Sequence, residues 1–106
     1  MWYILNDDGE PVAEPDFLMA SIWLDEHRQH LIVASDFIEH TDYVAHVSTV
    51  FLGLDHGRGD GPPVLWETMV FNGPLNLYQE RYLSKHDALL GHAEAVRLTK
   101  EGNADA

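Results

Sequence analysis

The chain of 106 residues has no cysteine, only six lysines and arginines, and no long apolar run. The lack of cysteine excludes disulfides and thiolate metal sites, and nothing else in the sequence indicates an oxidising compartment. No apolar stretch approaches the roughly 20 residues that span a bilayer. The opening segment MWYILNDDGE has neither the basic region nor the cleavage site of a signal peptide. The sequence therefore predicts a cytoplasmic protein that makes no membrane contact.

Negative charge is abundant, because 18 Asp and Glu residues give the chain a formal net charge of −12 and a pI near 4.6. Such a surface repels the phosphates of nucleic acids, so we expect no nucleic-acid partner. It could instead attract a basic protein, or imitate the phosphate array of DNA. The carboxylates are scattered rather than clustered, which favours the simpler interpretation that they keep the protein soluble.

The length and the hydrophobic fraction of 45% predict one folded domain over residues 1–100, followed by a disordered tail over 101–106. Several segments are rich in β-branched and aromatic residues and are separated by turn-forming residues, which predicts antiparallel hairpins. The predicted strands are residues 1–5, 30–39, 43–54, 64–71 and 79–83, and the predicted helices lie near 15–27 and 85–99. This order indicates an α+β fold, in which an antiparallel sheet of three to five strands carries two helices on one face.

The first predicted helix has an unusual distribution of apolar residues. Pro15 is expected at its start and Asp16 in its first turn, where a carboxylate complements the helix dipole. The apolar residues that follow cover more than one stripe of the helix. Part of that surface, including Met19 and Trp23, should therefore pack under another element or stay exposed as a contact.

The second predicted helix has a clear beginning. Ser84 is expected to be its N-cap, with Asp87 three residues later in an arrangement like a capping box. One stripe should face the core. Its predicted members are Leu89, His92, Val96 and Thr99, with Ala88 and Ala95 beside it. On this stripe His92 is expected to be a hydrogen-bonded core residue rather than a metal ligand.

Charged residues are concentrated in the loop DHGRGDGPP, residues 55–63, and at the start of the strand that follows. The candidate site residues there are Asp55, His56, Arg58, Asp60 and Glu67. Glu67 alternates with apolar residues, and a carboxylate in apolar company is a way in which general acids and bases arise. A simple hairpin separates it from His56 by roughly 10 Å, however. We therefore expect Glu67 to be paired with an arginine or exposed, and the loop to serve recognition rather than catalysis.

Seven histidines are a high number for this length, but none has the spacing of a strong metal motif. Asp55, His56 and Asp60 could hold a metal ion from one loop, although three such residues coincide easily by chance. A metal-dependent hydrolase built around His56 and Glu67 is the least favoured interpretation. No residue combination resembles a nucleophile elbow. The sequence predicts no catalytic residue, no bound metal and no cofactor.

Several segments together resemble a group of small proteins encoded in bacteriophage genomes and usually labelled hypothetical. These segments are VSTVFLGLDH, ETMVF, RY and a following helix that contains GH, and the likeness covers most of the chain. The matching residues are Asp55, His56, Pro63, Glu67, Thr68, Met69, Phe71, Arg81, Tyr82 and His92. The resemblance implies no particular chemistry. It implies a phage protein that binds and redirects a host component, including defence proteins, or that sequesters a nucleotide signal.

We therefore expect a small acidic cytoplasmic binding protein that acts on a host protein. Its contact surface should include the loop 55–63 and exposed aromatic residues. The alternative is a binder of a nucleotide-type small molecule, for which the few cations would have to form a local basic pocket. The candidate residues for that pocket are His56, Arg58, Arg81 and Tyr82. The sequence leaves open whether the protein forms a homo-oligomer.

Overall fold

The computed structural model describes residues 1–57 and 59–102, which form an α+β fold with two helices and two antiparallel sheets. The smaller sheet pairs β1 (Trp2–Leu5) with β2 (Pro11–Glu14). The larger sheet has the order β3-β4-β5-β6, formed by Ile32–Glu39, Val44–Phe51, Trp66–Phe71 and Gln79–Tyr82. The helices are α1 (Phe17–Glu26) and α2 (Lys85–Glu101), and a short 3-10 turn covers Arg28–Leu31. The predicted fold class and the four strands of the larger sheet are confirmed.

The two faces of the larger sheet differ because residues alternate along its central strands. In β4 the residues Ala45, Val47, Thr49 and Phe51 are buried, while those between them are partly exposed. The strand β5 repeats the pattern, since Val70 pairs with Val47 and Thr68 pairs with Thr49. This inner face of the sheet packs against both helices. The opposite face, which we call the open face, carries the alternate residues.

Helix α2 lies close to the inner face because its contacting residues are small. Ser84 caps the helix as predicted, its hydroxyl accepting a hydrogen bond of 3.0 Å from the amide of Asp87. The buried stripe consists of Ala88, His92, Ala95 and Thr99. The prediction that Leu89 belongs to this stripe is wrong, because Leu89 is exposed. Gly91 passes so close to the ring of Tyr82 that a methyl group at this position would overlap it.

The amino-terminal part of the fold covers the other end of the inner face. The turn Asn6–Gly9 joins β1 to β2, a strand that the sequence analysis did not predict. Asp16 lies one residue before α1 as its N-cap, accepting hydrogen bonds from the amides of Leu18 and Met19, rather than in the first turn. Trp23 and Leu24 of this helix then pack over a core cluster that contains Phe51, Leu65, Trp66 and Ala88.

The far end of the described chain belongs to α2. The helix ends at Glu101, with Gly102 as its C-cap, and the rest of the predicted tail, residues 103–106, lies outside the described residues. Within the described ranges, neither helix combines the length and the apolar character that crossing a membrane requires.

Candidate functional site

Asp55 holds the two ends of the loop together. Its Oδ1 accepts hydrogen bonds from the amide of Gly57 at 2.7 Å and from the amide of Val64 at 2.8 Å. The amides of Val64 and Gly57 stabilise the ionised form and lower the pKa of the Asp55 carboxyl below its usual range. The backbone of Asp55 also donates to the carbonyl of Met1. A carboxylate used in this way fixes the loop and is poorly placed to bind a metal or a substrate.

The other loop candidates extend into solvent. His56 is exposed, and its Nδ1 donates a 2.7 Å hydrogen bond to the carbonyl of Leu54, while its Nε2 bonds to no group among the described residues. Asp60 is exposed as well. Arg58 lies outside the described residues. The loop therefore presents His56 and Asp60 at the surface.

Glu67 lies on the open face and is paired as the sequence predicted. Its Oε2 accepts a 2.9 Å bond from Nε of Arg81 and a further bond from the side-chain amide of Gln79. The register of β5 and β6 explains this pair, because Glu67 and Arg81 are directly opposite each other. The Glu67 side chain is only 12% exposed and that of Arg81 is 42% exposed. Both partners are thus occupied on one sheet face, which supports a structural role for the carboxylate.

Tyr82 is the next residue after Arg81 and therefore faces the opposite side of the sheet. It pairs with Trp66 and packs beneath Gly91 of α2. Its hydroxyl is buried and has no hydrogen-bond partner among the described residues. Burial raises the pKa of the Tyr82 phenol, and the neighbouring Thr68 hydroxyl lowers it by a smaller amount without completing a bond. The described residues predicted for a nucleotide pocket thus lie in three places: His56 in the loop, Arg81 on the open face and Tyr82 on the inner face.

Metal binding has no geometric support in the part of the chain that the structure describes. Among residues 1–57 and 59–102, no three histidine or carboxylate side chains come together in an arrangement that could hold an ion. Of the possible loop ligands, Asp55 is engaged by backbone amides, and no group of described side chains completes a metal site with His56 or Asp60.

A buried polar chain crosses the inner face beneath α2. The Thr68 and Thr49 hydroxyls lie 2.5 Å apart, Thr49 bonds to Nδ1 of His92 at 2.7 Å, and His92 Nε2 bonds to Asp36 at 2.7 Å. A carboxylate only accepts, so Nε2 carries a proton and donates to Asp36, and when the ring is neutral Nδ1 accepts from Thr49. The order of groups is like that of a hydrolase triad, but the hydroxyl that would attack belongs to a fully buried threonine. The chain joins α2 to the sheet, as expected for a core histidine.

A cleft of about 460 Å³ opens between the β1–β2 turn, the end of α1 and the start of α2. Its aromatic wall is formed by Trp23, Phe51 and Trp66. The ring of His27 stacks on Trp23 with centroids 4.3 Å apart, and His27 Nδ1 donates to the Trp23 carbonyl at 2.7 Å. Lys85 lines the same cleft. The volume falls in the range of small-molecule sites. Sequence reasoning missed this cleft because five separate segments of the chain form it.

Helix α1 exposes a second apolar surface, on the side that faces away from the core. Leu18 and Ile22 are one turn apart and share this side, with Met19 beside them. Their exposed fractions are 63%, 44% and 54%. Phe17 adds to the patch and contacts the ring of Trp2 edge-on. Of the two alternatives that the sequence left open for Met19 and Trp23, exposure holds for Met19, whereas Trp23 is half-buried against the core.

Comparison of the chain with protein-family models, curated proteins and solved structures found no match in any of the three. The interpretation of these surfaces therefore depends on their own geometry and chemistry.

Proposed function

We propose that the protein is a non-catalytic binding protein that recognises another protein through the outer side of α1. The observation that carries this proposal is the exposure of Leu18, Met19 and Ile22 on a helix that is apolar on all sides. A soluble helix of that kind is normally buried. Contiguous exposed apolar residues on a small domain mark interaction sites, and an apolar helix face typically docks into a groove of its partner.

Charge indicates the chemistry of the partner. The apolar side of α1 is flanked by the carboxylates of Glu14, Asp16, Asp25 and Glu26, of which only Asp25 has an ion-pair partner, Arg28, among the described residues. The whole chain carries −12. The partner is therefore a protein with an apolar groove bordered by lysine and arginine, since such a rim is attracted over long range and fixes the docked orientation.

The resemblance to phage-encoded proteins adds a biological setting. It supports a host protein as the partner, in the cytoplasm of the infected cell, and a component of host defence is the leading case. In that setting the protein acts by occupying a basic, apolar groove that the host protein uses for its own ligand. The loop 55–63 then contributes at the edge of the contact through His56 and Asp60.

The test compares two double variants in affinity capture from bacterial lysate. Leu18→Ser/Ile22→Ser removes the apolar side of α1, while Leu89→Ser/Leu90→Ser makes the same change at exposed positions of α2. All three proteins should keep their circular dichroism spectrum, because none of the four side chains is buried. Quantitative mass spectrometry should find a basic protein that is retained by the wild type and by the α2 variant, is lost with the α1 variant, and is released by salt. Capture profiles that do not differ between the two variants would contradict the proposal.

A second candidate function is supported by the cleft, which could take a planar anionic ligand of the nucleotide type. Aromatic walls from Trp23 and Trp66 suit a flat ring, and Lys85 supplies a cation with no ion-pair partner among the described residues. Titration with nucleoside mono- and diphosphates should then quench tryptophan fluorescence in the wild type. The quenching should be weaker in Lys85→Ala but unchanged in Lys100→Ala, a control on the far end of α2. Equal responses from the two lysine variants would reject this use of the cleft.

A further inference from the structure

The open face of the larger sheet is a mixed surface of aromatic, aliphatic and polar side chains that neither helix covers. Its side chains are those that alternate with the buried residues of β4 and β5, together with their neighbours on β3 and β6. The apolar members are Ile32, Phe37, Val44, Val50, Met69 and Phe71, and the polar members are Ser35, Glu39, His46, Ser48, Glu67, Gln79 and Arg81. Phe37 is 67% exposed, the largest exposure of any apolar side chain in the described residues.

A row of stacked rings gives this face a fixed shape. Phe37 and His46 lie opposite each other on β3 and β4, with ring centroids 4.3 Å apart and planes inclined by 7°. Phe71 continues the row on β5, with its centroid 6.1 Å from that of His46. His46 Nε2 also shares a 2.8 Å hydrogen bond with the Ser35 hydroxyl. The rings are therefore ordered before any partner arrives, which lowers the entropic cost of binding.

The open face is also the part of the protein where negative charge is nearly absent. Glu67 is neutralised by Arg81, and the remaining carboxylate of β3 on this side, Glu39, lies at the end of the strand. This contrasts with a chain that carries −12 as a whole and with α1, whose apolar side has a border of carboxylates. Depletion of charge around aromatic residues is the compositional signature of an interface centre.

We propose that two copies of this chain associate through their open faces, sheet against sheet. Two chains of −12 repel each other wherever their carboxylates approach, so a self-contact is favourable only through a neutral surface, and the open face is that surface. A basic partner, by contrast, gains most from the carboxylate border of α1. In a two-fold arrangement the same residues meet from both copies, and the ring row of Phe37, His46 and Phe71 would form the centre.

The edges of the sheet favour contact between faces over extension of the sheet. The strand β3 has a bulge between Ile32 and Ala34 and carries Asp36 and Glu39 along its free edge. At the other edge, β6 is only four residues long and includes Glu80 and Arg81. Bulges, charged residues and short strands are the devices that prevent edge-to-edge pairing.

The size of the face sets the expected strength. With strands about 4.8 Å apart and about 3.3 Å per residue, the four strands give each copy roughly 400 Å² of flat area. Side chains raise the accessible area above this value, but the total stays near the small end of specific interfaces. A dimer that forms in the micromolar range, rather than an obligate one, is therefore expected.

The test is sedimentation equilibrium of the purified protein from about 1 to 500 µM, at low salt and at high salt. The wild type should pass from monomer to dimer within this range, and added salt should strengthen the dimer because it screens the repulsion between the two chains. Phe37→Glu places a carboxylate in the ring row twice per dimer, and should raise the dissociation constant by at least about tenfold. Phe17→Glu makes the same change on the exposed side of α1 and should leave the dissociation constant unchanged.

Two outcomes would overturn the proposal. One is a wild-type protein that remains monomeric at the highest concentration in both salts. The other is a dimer that Phe17→Glu weakens as much as Phe37→Glu, because the self-contact would then lie on α1. Phe37→Ser is a second variant that removes the ring without adding charge, and it should weaken the dimer to a smaller extent. Since Phe37 is mostly exposed, circular dichroism should show that both variants keep the fold.

Discussion

Replacing Thr49 by valine should destabilise the protein far more than its small change in shape implies. Valine has the same branched shape as threonine, so packing is preserved and only the hydroxyl is lost. That hydroxyl bonds to both Thr68 and His92, at 2.5 and 2.7 Å, in a fully buried position. Its removal leaves Nδ1 of His92 without a donor and the Thr68 hydroxyl without its partner.

Each orphaned buried polar group costs about 1–3 kcal/mol. With two such groups, the free energy of unfolding should therefore fall by about 2–6 kcal/mol. For a domain of this size about 1 kcal/mol corresponds to roughly 4 °C, so the melting temperature should drop by roughly 8–24 °C. Urea unfolding followed by tryptophan fluorescence measures the free energy, and a calorimetric scan measures the temperature.

Thr99→Val is the matched control for this change. Thr99 is also fully buried, but its hydroxyl donates only to the carbonyl of Ala95 in its own helix, at 2.7 Å. That carbonyl already accepts a helical hydrogen bond, so the loss should cost less than about 1 kcal/mol. If Thr49→Val and Thr99→Val lower the free energy of unfolding equally, the buried hydrogen-bond chain does not stabilise the packing of α2 on the sheet. A double-mutant cycle between Thr49→Val and His92→Leu should show a coupling of at least about 1 kcal/mol.

Three further predictions concern other parts of the fold. Gly91→Ala should lower the free energy of unfolding, measured in urea, by about 1–3 kcal/mol despite the higher helix propensity of alanine, because the new methyl group overlaps Tyr82. Gly61→Ala is the control: its methyl group meets no atom within 4 Å and should leave stability nearly unchanged, so equal effects of the two changes would refute the close approach. Asp55→Asn should lower the free energy of unfolding at neutral pH, because the depressed pKa of Asp55 in the folded state stabilises the fold while the carboxyl is ionised. The difference from the wild type should shrink as the pH falls below about 4, where the wild-type carboxyl becomes protonated, and a difference that stays unchanged at low pH would contradict this role of the charge. Glu67→Gln should lower the free energy of unfolding by no more than about 1 kcal/mol, and by less at high salt, because the Arg81 side chain is 42% exposed. A loss above about 2 kcal/mol would show that this ion pair stabilises the fold more than its exposure implies.

The elements of the larger sheet could be predicted because each carries a local signal. The alternation in β4 and β5 and the turns between strands are properties of neighbouring residues, and Ser84 marks the start of α2 by side-chain chemistry alone. The pair of Glu67 and Arg81 was also accessible, because a carboxylate on a strand with few nearby cations has few partners to choose from. These predictions needed no knowledge of long-range register.

The parts that were missed depend on register or on distant segments. The strand β2 is four residues long, begins with Pro11 and shows no alternation, so only its pairing with β1 defines it. The buried chain needs Thr49 and Thr68 to be opposite each other, with His92 above them and Asp36 on the next strand. The two threonines at inward positions of apolar strands were the available signal. Leu89 was misplaced because the helix approaches the sheet so closely that small residues, rather than large ones, face it.

The order of strands in the larger sheet has a consequence for how the protein is made. Each strand pairs with the one that follows it in the sequence, so the sheet can assemble by successive short loop closures, which are rapid. Helix α2 behaves differently, since His92 must reach Asp36, 56 positions earlier. During synthesis on the ribosome, the four strands are complete before this helix exists. Thr49 and Thr68 then face water until α2 emerges and encloses them, so their hydroxyls reach their native partners only when α2 packs on the sheet.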